Sequence, residues 1–224
     1  MSCTVELVGP PGAGKSTLGP RIADWIDGAS YLHFTSRLPE GRPSLWTKRL
    51  VSVAANPSLA FRALRTFPQT RLGVRRAMQV TARDLMLRQL VHDEGRVYIV
   101  EEGPIHTLLW AAAEAHRRPI SYPARSITPP DVLVYMPVNP QEAAHRVAGR
   151  TESLVAGMPF NEVCSHVEVY DSLARGLLAI LDCPVIELDE TTLRARPGSE
   201  ISKALYQLGF PVNRAGIGGL GGED

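Results

Sequence analysis

"GPPGAGKST", residues 9–17, follows directly on the apolar run Val5, Leu7, Val8, and its reading decides the rest of the chain. Three glycines and two prolines around one lysine describe a backbone that curls tightly round something negative. The spacing Gly9, four residues, Gly14, Lys15, Ser16 satisfies G-x-x-x-x-G-K-[ST] and lies between a predicted strand and a predicted helix, as that pattern requires. In that setting the N–H groups of Gly12, Ala13, Gly14, Lys15, Ser16 and Thr17 point at a β-phosphate, and the helix N-terminus adds partial positive charge. Gly9 and Pro11 complete the cradle. Lys15 is expected to bridge β- and γ-phosphates, the Ser16 hydroxyl to ligate Mg²⁺ and Thr17 to reach an α-phosphate. The stretch therefore predicts ATP and Mg²⁺ as cofactors.

Outward from the loop, three more runs are apolar on consecutive positions, the mark of strands buried on both faces: VYIV at 97–100, VLVYM at 132–136 and PVIEL at 184–188. Each is followed by a helical pattern. Gly28 stops the first helix, Pro104 starts the one after VYIV, and Asn139 with Pro140 supplies an N-cap and first residue before QEAAHRV. Strand alternating with helix implies an α/β fold with a parallel sheet covered on both faces. Between about 40 and 95 the pattern turns mostly helical, with Leu50, Val53, Leu59, Leu64, Leu72, Met78, Leu85 and Leu90 at roughly helical intervals. Residues 163–181 place Val163, Val167, Tyr170, Leu177, Leu178 and Leu181 near one stripe of an amphipathic helix. The ending RAGIGGLGGED at 214–224 reads as a flexible tail behind one domain spanning 1–213.

The 224 residues, 44% hydrophobic, are ample for one α/β core, and a net charge of +1 expresses no global preference for nucleic acid or membrane. Cys3, Cys164 and Cys183 are widely spaced and odd in number, and no apolar stretch approaches the ~20 residues of a membrane span. A cytoplasmic protein is expected. A guanine-reading Asn-Lys-x-Asp segment is absent, since MPVNPQE at 136–142 lacks the Lys and the Asp.

In element order, residues 3–190 resemble the P-loop nucleotide and nucleoside kinases, above all the thymidylate kinase-like group. Besides the loop, RVYIVEEG at 96–103 is similar to their strand-plus-acid segment. PDVLVYMPVNPQEAAHRVAGR at 130–150 is similar to their strand, Pro-started helix and arginine-bearing lid. HVEVYDSLARGLLAILDCPVIELD at 166–189 resembles the closing helix and strand. The resemblance implies a three-layer P-loop fold with a lid at about 146–160, whose Arg146 and Arg150 fold over the phosphates, and it implies a homodimer. One departure stands out: where the family reads Asp-Arg or Glu-Arg-Ser after the strand, this chain has Glu101-Glu102-Gly103.

Glu101 is expected at the carboxyl end of a central strand, the edge where open α/β sheets bind ligands. For a hydroxyl acceptor it serves as general base, and for a phosphate acceptor it holds Mg²⁺ through water. Glu102 shares the site only if the chain turns there, which Gly103-Pro104 permits; otherwise it caps the next helix. Glu6 is odd in an apolar strand and has no assigned role. From Arg37 to Arg88 the chain carries ten arginines and Lys48 against Glu40 and Asp84, an excess of nine positive charges. Facing a cleft, these would hold a small acceptor bearing phosphate or carboxylate, with Arg37, Arg71, Arg75 and Arg76 as candidates. His33 and Phe34 precede Arg37 where the second strand delivers an acceptor loop. Without interleaved aromatics the arginine run does not read as a nucleic-acid surface. The expected activity is transfer of the γ-phosphoryl group of ATP to a nucleotide, nucleoside or nucleoside-like metabolite; the alternative is a regulatory P-loop ATPase or switch with no such acceptor.

Overall fold

The computed structural model describes residues 2–26, 28–33, 54, 56–67, 71–90, 95–114, 125–148, 155, 157–189 and 197–209. Strands form where the apolar runs stand: β1 (Cys3–Val8), β2 (Ala29–His33), β3 (Val97–Glu101), β4 (Val132–Tyr135) and β5 (Val185–Glu187). They pair in parallel in the order β2-β3-β1-β4-β5. β1 has a neighbour on each side and is buried at every residue, so its sequence is continuous rather than alternating.

Parallel strands need crossovers, and the helices that make them cover both faces. They are α1 (Lys15–Trp25), α2 (Pro57–Thr66), α3 (Arg71–Leu90), α4 (Pro104–Glu114), α5 (Pro140–Ala148), α6 (Phe160–Leu178) and α7 (Pro197–Gln207). Successive residues of β1 serve opposite layers. Cys3, Val5 and Leu7 pack with Ile22 of α1 and with Ile201 and Leu205 of α7. Val8 packs into the other layer with Leu109 of α4, Val147 of α5 and Val167 of α6. Between these layers lies the sheet, and α4 is apolar all round because it is buried from Pro104 through Ala113.

Helix starts follow their residues. Asn139 Oδ1 accepts from the Gln141 and Glu142 amides at 2.9 and 3.3 Å, with Pro140 opening α5. Asn56 does the same for α2 through the Leu59 amide at 3.2 Å. The stripe expected at 163–181 begins earlier, at Phe160, and buries Val163, Val167, Tyr170 and Leu177; Leu181 lies past the helix end.

In the helical region before β3, two expectations change. Leu64 is exposed, because α2 turns Leu59, Ala60 and Ala63 to the core. On α3 the buried stripe runs through Ala77, Val80, Thr81, Asp84 and Leu87, so it includes a carboxylate that a purely apolar period overlooks. Asp84 is tolerated there because it is fully used: it accepts from Asn56 Nδ2 at 3.0 Å, Arg88 Nε at 2.9 Å and the Thr128 amide at 2.6 Å. It thus ties the start of α2 and the approach to β4 onto α3. Residues 41–53 of the expected helical region, the lid residues 149–154 and the tail 214–224 lie outside the described residues.

Candidate active site

The loop after β1 has the geometry its residues require. Gly12 and Gly14 take φ of 82° and 87°, and a Cβ on Gly12 would stand 2.9 Å from the backbone of Ala143 in α5. Gly14 is also the N-cap of α1, so the first turn, with Ser16 and Thr17 exposed, opens toward solvent at the carboxyl edge of the sheet. Lys15 is buried, and its Nζ donates to the carbonyls of Gly9 at 2.7 Å and Pro10 at 3.0 Å. Its ammonium therefore lies across the loop, inside the curl formed by Gly9, Pro11, Gly12, Ala13 and Gly14. Arg146 of α5 reaches the same place: its Nη1 donates to the Gly12 carbonyl at 3.1 Å while Nη2 pairs with Glu142. Arg150 lies outside the described residues.

A cavity of about 770 Å³ opens over this loop. Gly12, Gly14 and Thr17 form one end; Arg21 of α1, Asn139, Asp171 and Arg175 of α6, and Asp189 behind β5 line the remainder. The α6 wall is fixed to the sheet, since Tyr135 donates to Asp171 and Arg175 Nε pairs with Asp171 at 3.0 Å. Arg21, Asp171, Arg175 and Asp189 were not anticipated as site residues. They are spread over α1, α6 and the residue behind β5, so they form no linear motif.

On the acceptor side, Glu101 ends β3 in register with Leu7, two residues before Gly9, and with His33 of β2. It is nearly buried, and the Tyr31 hydroxyl donates to its carboxylate. Burial first, then this hydrogen bond and the nearby Glu101 charge, push the Tyr31 phenol up, so Tyr31 remains a donor across the physiological range. Glu102 turns the chain itself, with φ of 58°, so the turn lies one residue earlier than Gly103-Pro104. Its carboxylate pairs with Arg83 Nη2 of α3 at 3.0 Å, and Arg83 also donates to Thr107 of α4.

The structure places the arginine candidates differently from one another. Helices α3 and α4 pack antiparallel: Arg83 meets Thr107, whereas Arg76 Nε meets Glu114 at 3.0 Å, roughly 10 Å further along α4 from Thr107 by the helical rise. Arg75 is exposed on α3. The acidic turn therefore receives Arg83 and not Arg75 or Arg76. A guanidinium does reach the Glu-Glu-Gly segment, but from a helix instead of from the next residue in sequence. Phe34 and Arg37 lie outside the described residues, and His33 is the last residue of β2. His106 points into the core and not into the cleft. Burial, with Lys15, Arg83 and Arg76 nearby, holds its imidazole well below the ordinary range, and Nδ1 is 2.8 Å from the Tyr170 hydroxyl.

For Mg²⁺ the available donors are all oxygen: the exposed Ser16 hydroxyl and the carboxylates at the end of β3. Among the described residues no three His, Cys, Asp or Glu side chains form a preformed metal cluster. Mg²⁺ held largely by nucleotide phosphates needs only one or two such protein oxygens, and the residues present fit that mode.

No family model matches the chain, and no curated protein matches it in sequence. Solved structures do match over nearly its whole length. Deoxyadenosine kinase from M. mycoides with bound dATP aligns at 16% identity and a TM-score of 0.54, over 92% of this chain and 99% of that one. Thymidylate kinase from Candida albicans aligns at 12% identity and a TM-score of 0.56, over 93% and 92%. The fold is that of the P-loop nucleoside and nucleotide kinases. The P-loop kinase fold explains why one sheet edge carries both the cradle and the acid: parallel strands end together there. Among the described residues no helix is long and apolar enough to cross a membrane.

Proposed function

We propose that this chain is an ATP-dependent small-molecule kinase acting on a nucleoside, nucleotide or nucleoside-like acceptor. The observation that carries the reading is the cavity over the phosphate loop, lined by Arg146, with Lys15 lying across that loop and a held carboxylate, Glu101, at the neighbouring strand end. The triphosphate lies along Gly12–Thr17, and the nucleoside end extends toward Arg21, Arg175 and Asp189.

Chemistry in such a site is positioning and charge stabilisation. Lys15 leaves the Gly9 and Pro10 carbonyls for the β- and γ-phosphate oxygens, and Arg146 neutralises charge on the migrating group. The Ser16 hydroxyl would hold Mg²⁺, which would supply further neutralisation of phosphate charge. With a hydroxyl acceptor, Glu101, steadied by Tyr31, accepts the hydroxyl proton as that oxygen attacks phosphorus. The bond to the ADP oxygen breaks, and the new phosphate ester forms.

Mass spectrometry tests this directly: nucleosides, nucleoside monophosphates, sugars and a metabolite extract are incubated separately with protein, Mg²⁺ and ATP, beside Lys15→Ala. A compound that gains one phosphoryl group only with the unaltered protein is expected. Tight ATP binding with no such product in any pool would replace the kinase with a nucleotide-dependent switch.

A further inference from the structure

Glu6 lies in the middle of β1, fully buried, and takes no part in the chemistry above. Its Oε1 accepts from the His106 amide at 2.8 Å, and the Ile105 amide adds a second backbone hydrogen bond. These are first-turn N–H groups of α4, which a helix leaves without partners of its own. A side chain from the neighbouring strand therefore caps α4 from inside the core.

The carboxyl also explains Gly103. A Cβ there would stand 2.4 Å from Glu6 Cδ and 2.6 and 2.7 Å from its oxygens. Gly103 has an ordinary φ, so its glycine answers to the space Glu6 occupies. The odd acid of β1 and the Gly in the departure Glu101-Glu102-Gly103 are one feature. The same region joins the cradle: His106 Nδ1 meets the Tyr170 hydroxyl, which shares a backbone hydrogen bond with Gly9, whose carbonyl holds Lys15.

We propose that Glu6 is a positioning residue for the acceptor side: its buried carboxyl fixes the start of α4 and thereby the Glu101–Glu102 turn relative to the phosphate loop. The functional part rests on the kinase reading. Misplacing a reacting group by about 1 Å costs on the order of 10²-fold in rate, the loss expected in kcat for Glu6→Leu. ATP affinity should stay within about threefold, because the loop keeps its own contacts. Glu6→Gln keeps the accepting oxygen and should hold kcat within about threefold.

The test combines kcat, ATP affinity and hydrogen exchange at residues 9–17 and 101–107 in these full-length variants. Faster exchange at 101–107 alone, with the kcat loss and its recovery in Glu6→Gln, upholds the proposal. Full transfer by Glu6→Leu, or equal losses of ATP binding and transfer, overturns it. If Glu6→Leu does not fold, Gly103→Ala and Glu6→Ala/Gly103→Ala decide: the double variant should fold better than the single, and no gain overturns the idea. Should the unaltered protein phosphorylate nothing, the kinase reading falls. The exchange pattern still upholds or overturns the role of Glu6 at the turn.

Discussion

The two halves of this site are built in opposite ways. The cradle comes from nine consecutive residues whose shape is dictated locally, by Gly12 and Gly14 at positive φ and by the start of α1. The acidic turn, by contrast, is assembled from β1, β2, α3 and α4, through Glu6, Tyr31, Arg83 and Thr107. A locally coded half tolerates change around it, whereas an assembled half depends on several distant side chains.

Substitutions test that contrast, beginning with the largest effect. Lys15→Ala should reduce transfer by about 10³-fold or more, while loss of the hydrogen bonds to the Gly9 and Pro10 carbonyls should lower stability by only about 1–3 kcal/mol. Calorimetry beside the product assay checks both halves of that statement. Glu101→Gln should cost about 10²–10⁴-fold in kcat if the carboxylate takes the acceptor's proton. A fully active Glu101→Gln enzyme would remove the general base from the mechanism.

Arginines on α3 sharpen the comparison. Arg83→Met leaves Glu102 half-buried without its partner and should destabilise the protein by roughly 2–4 kcal/mol and slow transfer. Arg76→Met breaks the similarly shielded pair with Glu114 at the far end of α4, so it should cost a comparable roughly 2–4 kcal/mol yet leave kcat alone. Equal kinetic losses from the two in urea-stable preparations would contradict the placement. Tyr31→Phe removes one hydrogen bond to Glu101, with an expected loss of about tenfold in kcat and little change in ATP affinity.

The last test concerns pH. Burial pushes the Glu6 carboxyl from an ordinary 4.5 up to about 8, against the His106 amide and Arg83, with Asp84 reinforcing the rise. A native pKa above the unfolded one stabilises fully below about 4.5, and that contribution disappears as pH rises through about 8. Urea titrations should therefore show stability falling between about pH 5 and pH 9, with a shallower fall in Glu6→Gln. Parallel slopes in both proteins would mean that Glu6 is ionised in the native state.

The same contrast explains what could be read from the residues alone. Gly9–Thr17, the strand runs and the Asn139-Pro140 start are short-range signals, and they marked the sheet, its parallel sense and the cradle. Glu101 was legible because a strand end in a parallel sheet is a known place. Tyr31, Arg83 and Glu6 were not, because each acts on a residue far away in the chain, and the arginine run concealed which guanidinium reaches the turn. Asp84 was hidden for a related reason: two of its three donors, Asn56 Nδ2 and the Thr128 amide, come from distant segments.

Strand β1 is central to the sheet, yet it is made before both of its neighbours. It ends at Val8, while the strands on either side of it begin at Val97 and Val132. Such non-local pairing is slow, because the intervening chain must be closed before any pairing is gained. During synthesis β1 waits with its apolar run unpaired until β3 has left the ribosome, and its second edge stays open until β4 follows, so the phosphate cradle has no complete floor before then. Chains cut short before Val132 should be captured by holdase chaperones and should not bind nucleotide.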